Sequence, residues 1–174
     1  MTAAPASVEA APAPAVLARL NRILATVADP EIPVLSVLDL GVVRHLHKRS
    51  DGTIEVGVSP TYSGCPATPV IKSDIVRALT RNGFRAVTVD VLSPPWTSDW
   101  ISAEGRRKLL DFGIAVPAEG VTSARQLLQQ DSAIACPRCR STDTSRLSEF
   151  GSTPCKALYR CGSCLEPFDY FKCI

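Results

Sequence analysis

Two Cys-x-x-Cys pairs, Cys136-Pro137-Arg138-Cys139 and Cys161-Gly162-Ser163-Cys164, lie twenty-one residues apart in a chain of 174. A two-residue gap lets both sulfurs of a tight turn face one ion. Two such turns complete the tetrahedron that Zn²⁺ accepts from thiolates. The spacing therefore demands a separate module at residues 136–174, a small β zinc ribbon, although an iron tetrathiolate fits the same spacing. Thirty-nine residues rarely fold on apolar burial alone, whereas metal binding supplies roughly 10–16 kcal/mol in such modules. A closed four-cysteine site keeps no open coordination position, so its expected task is structural. Strands are predicted at 146–150, 157–160 and 168–172.

The remaining sequence belongs to a different kind of fold. Apolar residues make up 45% and charged residues 21%, which suits a buried core. Residues 1–13 are rich in Ala and Pro and lack the basic stretch of a signal segment, so a disordered leader is expected. Seven cysteines without such a signal point to metal or thiol chemistry in a reducing compartment, the cytoplasm. No apolar run approaches the ~20 residues needed to span a bilayer. Residues 1–135 carry thirteen Lys and Arg against thirteen Asp and Glu. The four thiolates and their ion cancel the small basic excess of the tail, so no nucleic-acid footprint is expected.

Along the chain, Val16, Leu17, Leu20, Ile23, Leu24 and Val27 recur at helical spacing, predicting a helix over 14–28 that Asp29-Pro30-Glu31-Ile32-Pro33 ends. A strand at 42–48, a turn at Ser50-Asp51-Gly52 and a returning strand at 53–58 follow. A loop through Cys65 leads to a helix that closes at Asn82-Gly83. A strand at 86–92 places Val87, Val89 and Val91 on one face. A final helix over 102–112 completes an α+β domain at 14–115 with a small mixed sheet. Residues 116–135 read as a linker, with a short helix at 124–130 as the one local signal.

Few residues of the larger domain carry chemistry. Cys65 is its one cysteine, between Gly64 and Pro66. With Pro66 as first helical residue, Cys65 would stand at the N-cap, where the helix dipole favours thiolate; an inert, half-buried thiol fits equally. Asp29 and Glu31 flank Pro30 and could present two carboxylates on one turn, or instead cap a neighbouring helix or stay solvated. His45 and His47 share one strand face, read here as a solvated one. Trp96 and Trp100, flanked by prolines, mark a packing corner or a partner surface. In the tail, Cys155 and Cys173 are surplus, either buried small hydrophobes or thiols of a second, labile site. No Gly-rich phosphate loop, Ser/His/Asp set or Glu-x-x-His pair occurs, so no catalytic apparatus of its own is expected.

Several stretches together resemble a known family. Asp29-Pro30-Glu31-Ile32-Pro33, Val37-Leu38-Asp39-Leu40-Gly41-Val42-Val43 and Gly64-Cys65-Pro66 resemble the SufT-like iron–sulfur-assembly domain. Ser93-Pro94-Pro95-Trp96-Thr97-Ser98-Asp99-Trp100-Ile101, Phe150-Gly151-Ser152-Thr153-Pro154-Cys155-Lys156-Ala157 and Glu166-Pro167-Phe168-Asp169-Tyr170-Phe171-Lys172-Cys173 are similar to the PaaD family of phenylacetate degradation. Its members are encoded with the phenylacetyl-coenzyme A ring epoxidase and often named as one of its subunits. The resemblance spans about residues 16–174.

It implies an assembly domain joined to a zinc ribbon, and an accessory role in maturing a metal centre of the epoxidase system. The [2Fe–2S] reductase subunit is the leading client. Carried over residue by residue, Cys65 becomes the candidate ligand of iron or a cluster, and Asp29 and Glu31 help to shape its pocket. Asp39 and Thr61 become supporting residues. One cysteine cannot complete a cluster's shell, so a second copy of the chain or a client must supply the rest. The contrasting class is a stable, non-catalytic docking subunit of the epoxidase complex.

Overall fold

The computed structural model describes residues 8–117 and 134–172. The chain divides between Pro95 and Trp96 into two compact units. The first carries a four-stranded sheet in the order β1-β2-β3-β4, built from β1 (Val8–Ala10), β2 (Val43–Arg49), β3 (Ile54–Val58) and β4 (Ala86–Asp90). The first three strands run antiparallel, and β4 joins β3 in parallel after a helical crossover. The leader expected to lack structure thus contributes an edge strand at Val8–Ala10, which pairs with Lys48 and Arg49.

Helix α1 (Pro14–Leu24) ends earlier than the prolines at 30 and 33 require. The backbone turns at Ala25–Val27 instead, where Thr26 Oγ1 donates to the Ile23 carbonyl at 2.7 Å. Leu20, Ile23 and Leu24 form the buried stripe of α1, and Ala67, Ile71, Ile75 and Leu79 that of α2 (Ala67–Arg81). Gly83, at φ +83°, ends α2 with two bonds. Its N–H donates to Thr80, and that of Phe84 to Leu79. This pairing satisfies carbonyls that the last turn would otherwise leave open.

The second unit holds α3 (Ala103–Asp111) and a sheet in the order β5-β8-β7-β6, with β5 (Ile114–Ala115), β6 (Thr144–Ser148), β7 (Lys156–Cys161) and β8 (Pro167–Phe171). Residues 96–115, expected to complete the first domain, therefore belong with the ribbon. The physical reason is strand pairing: Ile114 and Ala115 run parallel beside Asp169 and Tyr170. Trp96, only 2% exposed, also packs on Phe171 at 5.7 Å between ring centroids. Of its two readings, the packing corner is the one realised, while Trp100 is half-buried. Arg106 ties this region together by donating to the carbonyls of Ser98 and Pro117 at 2.7 and 2.6 Å. The expected helix at 124–130 and most of the linker at 116–135 fall outside the described residues, as does Cys173.

Candidate metal centre and the Cys65 loop

The two knuckles of the ribbon are built alike. Each Cys-x-x-Cys turn is followed by a residue in the left-handed region, Arg140 at φ 64° and Leu165 at φ 65°. The first turn is closed by the Arg140 N–H donating to the Cys136 carbonyl and by the Cys136 N–H donating to Ser141. In the second, the Cys161 N–H donates to the Glu166 carbonyl, and the Cys164 N–H reaches the Cys161 sulfur at 3.4 Å. Across the turns, Ser141 and Ser163 hydroxyls meet at 2.7 Å, and Arg138 pairs with Glu166 at 2.8 Å.

The four sulfurs of Cys136, Cys139, Cys161 and Cys164 consequently converge within 4.8 Å of one another. The closest cross-knuckle approaches are 3.7 Å, Cys136 to Cys164, and 3.5 Å, Cys139 to Cys161. A tetrahedron with Zn–S bonds of about 2.3 Å has edges of about 3.8 Å, so the cage fits a tetrathiolate zinc ion. The crowded thiols also perturb one another. The Cys164 N–H draws the Cys161 thiol down to about 6. Against the Glu166 N–H, burial and the neighbouring thiols drive Cys164 up to about 12. Sulfurs this close ionise together only around a cation. Zinc would be held by these four residues, and it supplies cohesion rather than a reacting water.

Behind the cage, Ala115, Cys136, Cys161 and Phe168 form a small core with Tyr159 and Tyr170 against it. Cys155 is 4% exposed, and its sulfur lies 3.0 Å from Thr153 Oγ1. It belongs to no converging group of three or more ligands among the described residues, and Cys173, its companion in the second-site reading, lies outside them.

The candidates of the first unit are arranged differently. Cys65 lies in the loop between β3 and α2, after Gly64 at φ +81°. The regular helix α2 begins at Ala67, and Pro66 before it already has helical dihedrals, φ −68° and ψ −20°. The Cys65 carbonyl accepts from the Thr68 N–H at 3.2 Å, and no side chain caps the helix. The thiol is 9% exposed. Thr61 is buried in the same loop, and Ser59, 1% exposed, tethers the loop through its N–H to the Val42 carbonyl at 2.8 Å. The Ser59 hydroxyl itself is buried with no hydrogen-bond partner among the described residues. That hydroxyl escaped the sequence reading, since nothing in a Ser-Pro pair signals an orphaned side chain.

Asp29 is buried, and its Oδ1 accepts from the N–H groups of Glu31 and Ile32, both at 2.8 Å. The carboxylate closes the turn that follows it rather than capping a helix. Glu31 is half-buried. Asp39 repeats the device, its Oδ2 accepting from the Ser36 N–H at 2.9 Å and hydroxyl at 2.8 Å. Asp29 also borders a cleft of about 410 Å³ with Pro30, Pro33 and Arg77, but Cys65 does not line it. Among the described residues, Cys65, Asp29, Glu31 and Asp39 do not converge as one ligand set.

Two family patterns match the chain: an iron–sulfur cluster assembly protein over residues 17–91 and the PaaD zinc beta ribbon domain over residues 121–172. A protein of Escherichia coli (strain K12), named as a 1,2-phenylacetyl-CoA epoxidase subunit, is 50% identical over 153 residues. That match covers 87% of this chain and 90% of the relative. The chain belongs to the PaaD family. An Fe-S protein maturation auxiliary factor of Porphyromonas gingivalis (strain ATCC BAA-308 / W83) is 36% identical over 90 residues, covering 51% of this PaaD-family chain and 85% of that protein. A crystal structure of the domain of unknown function DUF59 from Bacillus anthracis is 26% identical with a TM-score of 0.51. It covers 55% of this chain and 92% of its own. The α+β assembly domain and the zinc ribbon expected of the PaaD family are thus both present. Among the described residues, no helix is long and apolar enough to cross a membrane.

Proposed function

We propose that this chain is an accessory maturation factor of the multicomponent phenylacetyl-CoA ring epoxidase. Its cargo is iron or an iron–sulfur cluster, and its client is the [2Fe–2S] reductase subunit. The observation that carries the reading is the loop of residues 59–66, where one thiol, Cys65, shares a short tethered segment with the orphaned Ser59 hydroxyl. Thiolate is the ligand that iron–sulfur clusters select. A buried hydroxyl without a partner in the chain leaves a bond that a group from another molecule can make. Cys65 supplies one ligand, and the client or a second copy of the chain supplies the others.

In this account Asp29 and Asp39 act as positioning residues. Asp29 accepts from two backbone N–H groups, and Asp39 from the N–H and hydroxyl of Ser36, fixing the segments around Pro30 and Ser36. Thr61 and Glu31 complete the supporting set around the cargo, and the ribbon is a zinc-bound docking element. The similarity to an epoxidase subunit and to an Fe-S maturation factor supports both halves of the reading.

Co-expression with the reductase is the test. Cys65→Ser is expected to leave the chain folded and to yield reductase that retains flavin but lacks its [2Fe–2S] absorbance. Fully loaded reductase beside the variant contradicts the proposal. A second reading, a permanent docking subunit, is favoured by Leu147, Phe150 and Leu165, which the ribbon unit leaves 54–62% exposed. Stoichiometric copurification with the oxygenase, combined with a fully loaded reductase in the Cys65→Ser strain, selects that reading instead.

A further inference from the structure

The ribbon is one of two places where ligand-bearing side chains converge among the described residues. The other lies on the sheet of the first unit. His45 and His47 are two apart on β2 and so project from one face. The ladder sets Glu55 directly across from His47, and Gly57 across from His45. One nitrogen of each imidazole and one oxygen of Glu55 come within 4.8 Å of one another.

Three features distinguish this group from a solvated strand face. First, the imidazoles are stacked, with centroids 4.4 Å apart and planes 17° from parallel. Second, Glu55 is held from behind. Arg49 donates from Nε at 2.9 Å and from Nη2 at 2.6 Å, both to Oε2, which leaves Oε1 facing His45 Nε2 at 3.3 Å. A carboxylate fixed through one oxygen with the other turned to two imidazoles is the way outer partners orient a metal ligand. Third, Gly57 makes room, since a Cβ at that position would overlap the His45 ring.

We infer that His45, His47 and Glu55 form a second metal site that binds a divalent first-row transition ion such as Zn²⁺. Two imidazoles and a carboxylate are the donors such ions accept, and three protein ligands leave coordination positions open. The site differs from the ribbon in being exchangeable, with its donors already in register on a hydrogen-bonded ladder and a cationic guanidinium nearby. It stands independently of what the Cys65 loop carries.

The chain has two histidines, so the test can be read without ambiguity. The untagged full chain, with its ribbon already zinc-loaded, is titrated with zinc chloride near neutral pH. Bound metal is followed by dialysis and elemental analysis, and the imidazole signals by NMR. The expected result is a second zinc per chain, with both imidazole signals shifting together and saturating at that equivalent. The double variant His45→Ala/His47→Ala loses the second equivalent and keeps the first. Glu55→Gln weakens it at least ~10-fold, as does Gly57→Ala, which displaces a ligand without removing one. Imidazole signals that stay fixed in excess zinc overturn the inference, and this arm needs no variant to fold. Survival of the second equivalent in the double variant, or unchanged affinity in Glu55→Gln, overturns it equally.

Discussion

The cysteine cage and the Cys65 loop both carry thiols, yet they are built in opposite ways. The cage brings four sulfurs together on two matched turns, so its coordination shell is complete within one chain. The loop of residues 59–66 carries one thiol and one hydroxyl without a partner among the described residues, while Asp29 and Asp39 of the same unit accept from neighbouring N–H groups and, for Asp39, from the Ser36 hydroxyl. A complete shell holds its ion and a fold. Under the proposed function, the single thiol of the loop is completed by another molecule, which is what handing over a cargo requires.

The largest effect should come from breaking the complete site. Cys161→Ser, or a strong chelator, is expected to unfold the ribbon, because metal binding supplies roughly 10 kcal/mol or more to such modules. Loss of the ribbon's circular-dichroism and NMR signals, with the β2–β3 signals intact, checks this. Cys65→Ser should leave both sets of signals in place. If it unfolds the chain instead, the contrast between the two sites fails.

Trp96→Ala comes next. The side chain is 2% exposed and packed on Phe171, so removal should cost about 3–5 kcal/mol. Denaturation monitored separately in each unit should place that cost on the ribbon side, where residues 96–115 belong. A smaller effect is expected for Asp29→Ala, which leaves two N–H groups without their acceptor and should cost about 1–3 kcal/mol in the first unit.

The smallest prediction concerns pH. The Arg49 guanidinium, and then His45, hold the Glu55 carboxyl below the usual range against the opposing effect of burial. A lowered folded-state value means its stabilisation is full above the ordinary carboxylate range of about 4.3 and is lost as pH falls through the folded value. Acid denaturation of wild type should therefore steepen below that range, and Glu55→Gln should flatten the curve there.

The two sites also differ in how far sequence could reveal them. Cys136, Cys139, Cys161 and Cys164 were legible because each pair is local, and a two-residue gap already fixes its geometry. The helices at Pro14–Leu24 and Ala67–Arg81 and the β2–β3 hairpin were legible from periodicity and from turn chemistry at Gly52 and Gly83. The domain border was not, because it depends on Ile114 and Ala115 pairing with a strand more than fifty residues later. Nor was the His45, His47 and Glu55 group. The histidines suggested only a shared face, and Glu55 joins them through a strand register that composition does not reveal. The start of α2 was legible to within one residue, since Pro66 has helical dihedrals and the regular helix begins at Ala67.

The most direct measurement is zinc, iron and acid-labile sulfide per chain after anaerobic purification, for wild type and for Cys65→Ser. The account predicts ribbon zinc in both proteins, and iron with sulfide in wild type that disappears in the variant. Wild type that holds zinc but takes up neither iron nor sulfide, even on reconstitution, would contradict it. So would iron and sulfide that persist unchanged when Cys65 is gone.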